Sequence, residues 1–222
     1  VIITATLAVA IRMTIEWYRT ENAKAKLEAV ASQAELKNLK SQLNPHFLFN
    51  TLNNIYSLIA IDKEKAQFSV LGLSKILRYV LYDNNQDKVP LEKELLFTRS
   101  YIELMSLRLT DKVRIKIDIP TETNGAMIAP LVFITLIENA FKHGVTQEEN
   151  SFIDIDIKLT DNKVKCIVKN SCFPKKENDY SGSGIGITNL KRRLELLYPR
   201  KHKYDISISD KIYKSTLTIE LD

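Results

Sequence analysis

The chain has 222 residues, 45% hydrophobic, 27% charged and 8% aromatic, a balance that excludes wholesale disorder and a multi-span membrane bundle. The net charge of +5 is spread along the chain: residues 1–44 carry six basic and four acidic side chains, 45–112 nine and eight, and 113–222 seventeen and fifteen. No segment is the basic stripe that direct nucleic-acid binding needs. Cys166 and Cys172 are the only cysteines, with five residues between them, which is not a zinc spacing; with no disulfide framework to read, a reducing, cytosolic setting is favoured.

The chain starts at Val rather than Met, and Val1–Ile11 is nearly all apolar, with Trp17-Tyr18 behind Arg12 and Glu16. Such a stretch falls short of the roughly 20 residues that span a bilayer. Residues 1–18 are therefore expected to be the cut end of a transmembrane helix of a longer protein, with the aromatic pair at the interface and Arg12 and Arg19 on the cytoplasmic side. A buried helix or a signal-peptide remnant is the plainer alternative. Residues 19–43 contain no Gly or Pro; Leu27, Val30 and Ala34, then Leu36, Leu39 and Leu43 on a shifted register, predict a two-stranded coiled coil with a break in its heptads. The alternative there is a lone solvated helix.

Pro45 does not suit a helix interior, so a helix kinks or restarts there with Asn44 as its cap. Leu48, Leu52, Ile55 and Ile59 form one apolar stripe, and His46, Asn50, Asn53 and Ser57 a polar one. A second amphipathic helix is predicted over about Glu64–Tyr82, with Leu73, Ile76, Leu77 and Val80 on one face. The two make a helical hairpin over residues 44–88, and two hairpins would close a dimeric four-helix bundle. Beyond Pro90 a third helix to about Leu109 presents Leu95, Thr98, Ile102, Met105 and Leu109 for burial. The period then changes. Val113, Ile115, Ile117 and Ile119 alternate with charged residues, predicting a half-buried strand. A helix from Pro130 through Lys142 is closed by Gly144. Strands follow at about Phe152–Leu159 and Val164–Lys169, then a polar loop, a helix over about Ile187–Leu197, and strands over about Tyr204–Ser209 and Ser215–Leu221. The expected class is α+β: the helical hairpin, then a sandwich with helices on one side of a mixed sheet over residues 89–222.

Three of the six glycines fall in Ser181-Gly182-Ser183-Gly184-Ile185-Gly186, just before a helix. Glycines let backbone N–H groups approach an anion, and a helix N-terminus adds favourable partial charge. Taken alone, the run is a flexible hinge as readily as a phosphate cradle. Within the preceding helix, Thr135, Asn139 and Lys142 share one face, with Glu138 and His143 beside them, and Ile134, Ile137 and Phe141 lie on another. The Asn139 carbonyl is a hard oxygen ligand suited to Mg²⁺, and Lys142, one turn on, can neutralise phosphates. His46, on an exposed helix face, is a competent nucleophile near neutral pH, able to take the γ-phosphoryl group of ATP as a phosphoramidate.

Residues 39–53, Leu-Lys-Ser-Gln-Leu-Asn-Pro-His-Phe-Leu-Phe-Asn-Thr-Leu-Asn, closely resemble the phosphoacceptor box of the LytS-like (autolysin-sensor) branch of bacterial sensor histidine kinases. Residues 137–144, Ile-Glu-Asn-Ala-Phe-Lys-His-Gly, resemble that branch's N box, and residues 184–194 its glycine box. The resemblance implies a dimerisation and histidine-phosphotransfer hairpin joined to an ATP-binding domain of the GHKL (Bergerat-type) superfamily, held at the bacterial cytoplasmic membrane with the kinase part facing the cytoplasm. It implies His46 as phosphoacceptor, Asn139 as the Mg²⁺ ligand, and Lys142 and His143 near the phosphates. Gly182, Gly184 and Gly186 would lie in the loop that closes over ATP. Asn50, one turn after His46, can orient the imidazole, and Glu138 is a further candidate catalytic residue. The partners implied are a second copy of the chain and a cytoplasmic response regulator, in this branch often with a LytTR DNA-binding domain.

Three positions depart from the wider kinase pattern. Phe47 follows His46 where many kinases place an acid, and Thr135 stands where many N boxes have an earlier Asn. Asn170, in Val168-Lys169-Asn170-Ser171, takes the place of the aspartate that accepts from the adenine amino group; it can still accept, but without charge. The competing readings are a GHKL ATPase or serine kinase, against which the Pro45-His46 box speaks, and a degenerate dimeric relay without catalysis.

Overall fold

The computed structural model describes residues 12–13, 15–19, 21–22, 45–83, 86–146, 149–173 and 185–221. The chain divides into two units, Val1–Gln42 and Leu43–Asp222. In the first, the described residues are helical, and Arg12 pairs with Glu16 one turn on at 3.2 Å. Most of the expected membrane-helix end, and nearly all of the coiled coil, lie outside the described residues. Among the described residues no helix is long and apolar enough to cross a membrane.

The second unit opens with helices α1 (Pro45–Ile61) and α2 (Lys63–Arg78), which pack on one another. Asp62 breaks the helix between them by taking an extended backbone, and its carboxylate caps α2 by accepting from Lys65 N–H at 3.0 Å. That bond holds the Asp62 carboxyl below its ordinary value. Of the apolar stripe expected on α1, Ile55 is buried and Leu48 half-buried, whereas Leu52 and Ile59 are 52% and 62% exposed. The reason is geometric: α2 covers the side of α1 that carries Thr51 and Ile55. Phe49, Leu52, Tyr56 and Ile59, at helical spacing, remain an exposed apolar face.

After α2 a π-helical turn, Tyr79–Asp83, leads through a short strand β1 (Val89–Pro90) into α3 (Leu91–Ser106). Leu95, Thr98 and Ile102 are buried as the spacing predicts, but so are Glu94, Phe97, Ser100, Tyr101 and Leu104. α3 is packed on two sides, by α2 and by the sandwich that follows, so its buried surface is wider than one stripe. It ends at Ser106, short of the predicted Leu109.

The sheet of the sandwich contains β2 (Val113–Asp118), β4 (Ser151–Thr160), β5 (Lys163–Ser171), β6 (His202–Ser209) and β7 (Ile212–Glu220), in the order β2-β4-β5-β7-β6. β2 and β4 are parallel and the other pairs antiparallel. A parallel pair needs a long crossover; here it contains β3 (Met127–Ile128), which pairs with β1, and helix α4 (Ile134–His143). α5 (Ile185–Leu197) precedes β6. Alternation puts Ile153, Ile155 and Ile157 of β4, Val164, Cys166 and Val168 of β5, and Leu217 and Ile219 of β7 into the core beneath the helices. The α+β class and the mixed sheet are as expected. β7 begins three residues earlier than predicted, because Asp210 and Lys211 both take positive φ (50° and 60°) and form a tight turn without glycine.

The segment leading into α4 is held by side chains from three directions. Leu131 is buried with φ of 59°, a costly conformation for a leucine. Leu131 N–H and Val132 N–H donate to the two carboxylate oxygens of Glu94, at 2.8 and 3.0 Å. Arg193 of α5 donates to the carbonyls of Pro130 and Leu131, and Ala129 N–H donates to the Tyr198 hydroxyl at 2.6 Å. Burial pushes the Glu94 carboxyl up, opposed by the Tyr79 hydroxyl, Leu131 N–H, the Arg193 cation and Val132 N–H. Glu94→Ala would leave these donors and the Arg193 charge buried without their acceptor. It should cost about 3–5 kcal/mol, read as a lower urea-unfolding midpoint; an unchanged midpoint would contradict this account.

Candidate functional site

α4 is amphipathic in the way its sequence predicts. Ile134, Leu136, Ile137, Ala140 and Phe141 are buried against the sheet and neighbouring helices. Thr135, Glu138, Asn139 and His143 are half-buried, and Lys142 is exposed. The Asn139 side chain hydrogen-bonds to the hydroxyl of Tyr213 on β7, which is also bonded by Tyr204 of β6. Burial pushes the Tyr213 phenol up, while both bonds act against that by donating to its oxygen. An amide held through its NH₂ group presents its carbonyl oxygen to a cation. Glu138 lies within electrostatic reach of Tyr101 of α3, whose phenol is raised by burial first and by this negative charge second.

Asn170 stands near the end of β5, directly opposite Tyr213, so the two side chains share one face of the sheet. It is buried, and its Nδ2 donates to the Ser171 carbonyl at 2.7 Å. Its Oδ1 is buried and has no hydrogen-bond partner among the described residues. Unpaired buried acceptors are uncommon and costly, on the order of 1–3 kcal/mol, and this is one of five unpaired buried side-chain polar atoms among the described residues. Gly144, which closes α4, lies against Asn170: a Cβ there would meet Asn170 Cβ and Nδ2 and the Ala140 carbonyl, each at 2.6 Å. Glycine is needed at 144 for close approach rather than for backbone freedom, since its φ is −92°.

Asn139, Lys142 and His143 are thus carried on one helix whose end touches Asn170. Gly186, at the start of α5, also comes to α4: a Cβ on it would meet Thr135 Cγ2 at 3.6 Å, an ordinary contact. Gly182 and Gly184 lie outside the described residues. His46 belongs to α1, but its side chain is outside what is described, and Asn50 is half-buried one turn further on. Among the described residues no cluster of three or more His, Cys, Asp or Glu side chains could hold a metal; an amide oxygen supplemented by phosphate and water is the kind of site Mg²⁺ accepts.

Sequence reasoning missed Glu94, Arg193 and Tyr213. For the first two a signal existed: Glu94 falls on the apolar stripe of Leu91, Leu95 and Thr98, and Arg193 on that of Leu190, Leu194 and Leu197. A charge on a buried face calls for a partner. Tyr213 sits in an ordinary strand pattern and carried no signal.

A histidine kinase family model matches residues 34–113. The sensor protein LytS of Oceanobacillus iheyensis is 30% identical over 200 residues, covering 84% of this chain and 34% of that protein. The sensor histidine kinase YpdA of Escherichia coli K12 is 31% identical over 201 residues, covering 86% and 35%. The sensor histidine kinase/phosphatase LytS of Staphylococcus aureus MRSA252 is 33% identical over 178 residues, covering 74% and 30%. The chain spans about a third of the length of these curated relatives. The histidine kinase domain of the Erythrobacter litoralis EL346 blue-light activated kinase superposes with a TM-score of 0.47 at 12% identity, over 86% of this chain and 95% of that one, a loose likeness of shape only. Residues 34–113 thus match the histidine kinase family, and most of the chain is homologous to LytS-like sensor proteins at about 30% identity.

The contact at Gly144 yields a direct test. Gly144→Ala should force Asn170 or the end of α4 to move, costing about 1–3 kcal/mol, visible as a lower thermal midpoint; a variant as stable as the parent would contradict the packing described.

Proposed function

We propose that this chain is the kinase portion of a two-component sensor: it phosphorylates itself on His46 with Mg·ATP and passes the phosphoryl group to an aspartate of a response regulator. The observation that carries the reading is the buried Oδ1 of Asn170, without a partner among the described residues and held by an amide whose other end is bonded to Ser171. The exocyclic amino group of adenine is a donor of the right kind for it. Asn139, tethered by Tyr213, would offer its carbonyl oxygen to Mg²⁺, which when bound supplies positive charge to the triphosphate. Lys142 and His143, in the last turn of α4, would meet the phosphates, with Gly182, Gly184 and Gly186 supplying backbone N–H groups.

In the transfer, an imidazole nitrogen of His46 forms a bond to the γ-phosphorus as the bond from that phosphorus to the β–γ bridging oxygen breaks. ADP leaves with that oxygen, and the ring N–H proton passes to solvent water. Asn50 would orient the ring, since Phe47 offers no base; Glu138, within electrostatic reach of Tyr101, is the acid nearest Asn139 in the chain. Positioning and charge neutralisation carry such a reaction. The exposed apolar face of Phe49, Leu52, Tyr56 and Ile59 supports a second copy of the hairpin as the partner that covers it, completing a four-helix bundle. A membrane anchor ahead of the coiled coil, and a response regulator of LytTR type, fit the same reading.

The test uses γ-labelled ATP and magnesium with the chain and two variants. The parent should gain acid-labile phosphate on a histidine. His46→Gln should lose all label while keeping its ATP affinity, and Asn139→Ala should lose both. Wild-type labelling of His46→Gln would refute the acceptor, and an unlabelled parent that still binds Mg·ATP would favour the non-catalytic relay.

A further inference from the structure

One set of buried side chains has no part in that scheme. Tyr79 opens the π-helical turn that ends the hairpin's second helix. Its hydroxyl donates to Glu94 Oε2 at 2.5 Å, and its ring stacks on Phe97 of α3 with centroids 4.5 Å apart. The same carboxylate holds Leu131 N–H and Val132 N–H, in the strained turn just before α4 begins at Ile134. Arg193, from the helix that follows the glycine run, holds the carbonyls of that turn from the other side. One buried carboxylate therefore joins the end of the hairpin to the start of the helix that carries Asn139. Packing alone does not require the link: phenylalanine at 79 would keep the stack on Phe97, and Glu94 would keep its backbone donors and Arg193. π-Helical turns are frequent at functional sites, and this one places the hydroxyl at the junction.

We propose that Tyr79 is a positioning residue for phosphoryl transfer, setting the hairpin against α4 through Glu94 and so setting acceptor against donor. This rests on the kinase reading above. Transfer is sensitive to such placement, since a shift of about 1 Å can cost on the order of a hundred-fold in rate, whereas the groups proposed to hold the nucleotide, on α4, β5, β7 and the glycine run, do not include Tyr79.

The test compares Tyr79→Phe with the parent in the same chain. Displacement of a fluorescent ATP analogue should give an affinity within about twofold of the parent, while the rate of His46 labelling at saturating Mg·ATP falls roughly ten- to a hundred-fold. Tyr82→Phe removes a hydroxyl from a residue 73% exposed three positions on and should label at the parental rate. Tyr79→Phe labelling as fast as the parent overturns the proposal. Equal losses of affinity and rate overturn it too, because the hydroxyl would then only be holding the nucleotide pocket together. A parent that never labels removes the kinase reading instead, and this proposal with it. Should Tyr79→Phe fail to fold, hydrogen exchange in the parent decides: an ATP analogue should slow exchange at Leu131 and Val132 and also in the Tyr79–Asp83 turn. Protection of the first pair without the turn contradicts the link.

Discussion

The organisation of the second unit depends on how one awkward piece of backbone is satisfied. Between Ala129 and Val132 the chain turns sharply enough to force a buried leucine into left-handed geometry, and its N–H and C=O groups have no helix or sheet to bond to. Buried backbone groups need partners. Glu94 from α3 and Arg193 and Tyr198 from and just beyond α5 provide them. The two charges lower each other's cost of burial, and both carry out work on the backbone that neutral side chains of similar size would do less strongly. α4 thereby leaves this turn at a fixed angle, and Asn139, Lys142 and Gly144 follow from that angle.

Much of this architecture was legible in the sequence, and the failures have physical causes. Amphipathic spacing located α4 and sorted its faces, because burial on a single helix side leaves a clear period. The strands were recognised where alternation was clean, as in β4. The start of β7 was missed because Asp210-Lys211 lacks the glycine that usually marks a tight turn. The charges at 94 and 193 look like solvated helix residues when read singly; only their place on an apolar stripe, set against a turn distant in sequence, gives them meaning. Leu52 and Ile59 were expected on an apolar stripe and are apolar, yet they are exposed, because a stripe in sequence does not say whether the same chain covers it.

In the proposed reading, the nucleotide side of the site would be built from neutral groups more than from charges. Asn170 would offer it a carbonyl rather than a carboxylate; its amide is oriented by Ser171 and packs closely against Gly144. A fixed neutral acceptor still discriminates a base amino group from a base carbonyl, since the wrong partner would face a lone pair. Asn139 is likewise an amide, steadied by a phenol. Lys142, exposed at the end of α4, is the cation nearest to these amides along that helix. Such a pocket would draw most of its selectivity from geometry, which fits a reaction whose rate is set by placement.

The central claim is that Asn170 and Asn139 mark the two ends of one nucleotide, base and triphosphate. A crystal structure of the chain with magnesium and a non-hydrolysable ATP analogue tests it most directly. The account predicts the adenine amino group donating to Asn170 Oδ1 and a magnesium ion on the Asn139 carbonyl oxygen. An analogue bound with its base elsewhere, leaving Asn170 Oδ1 unpaired, would contradict it.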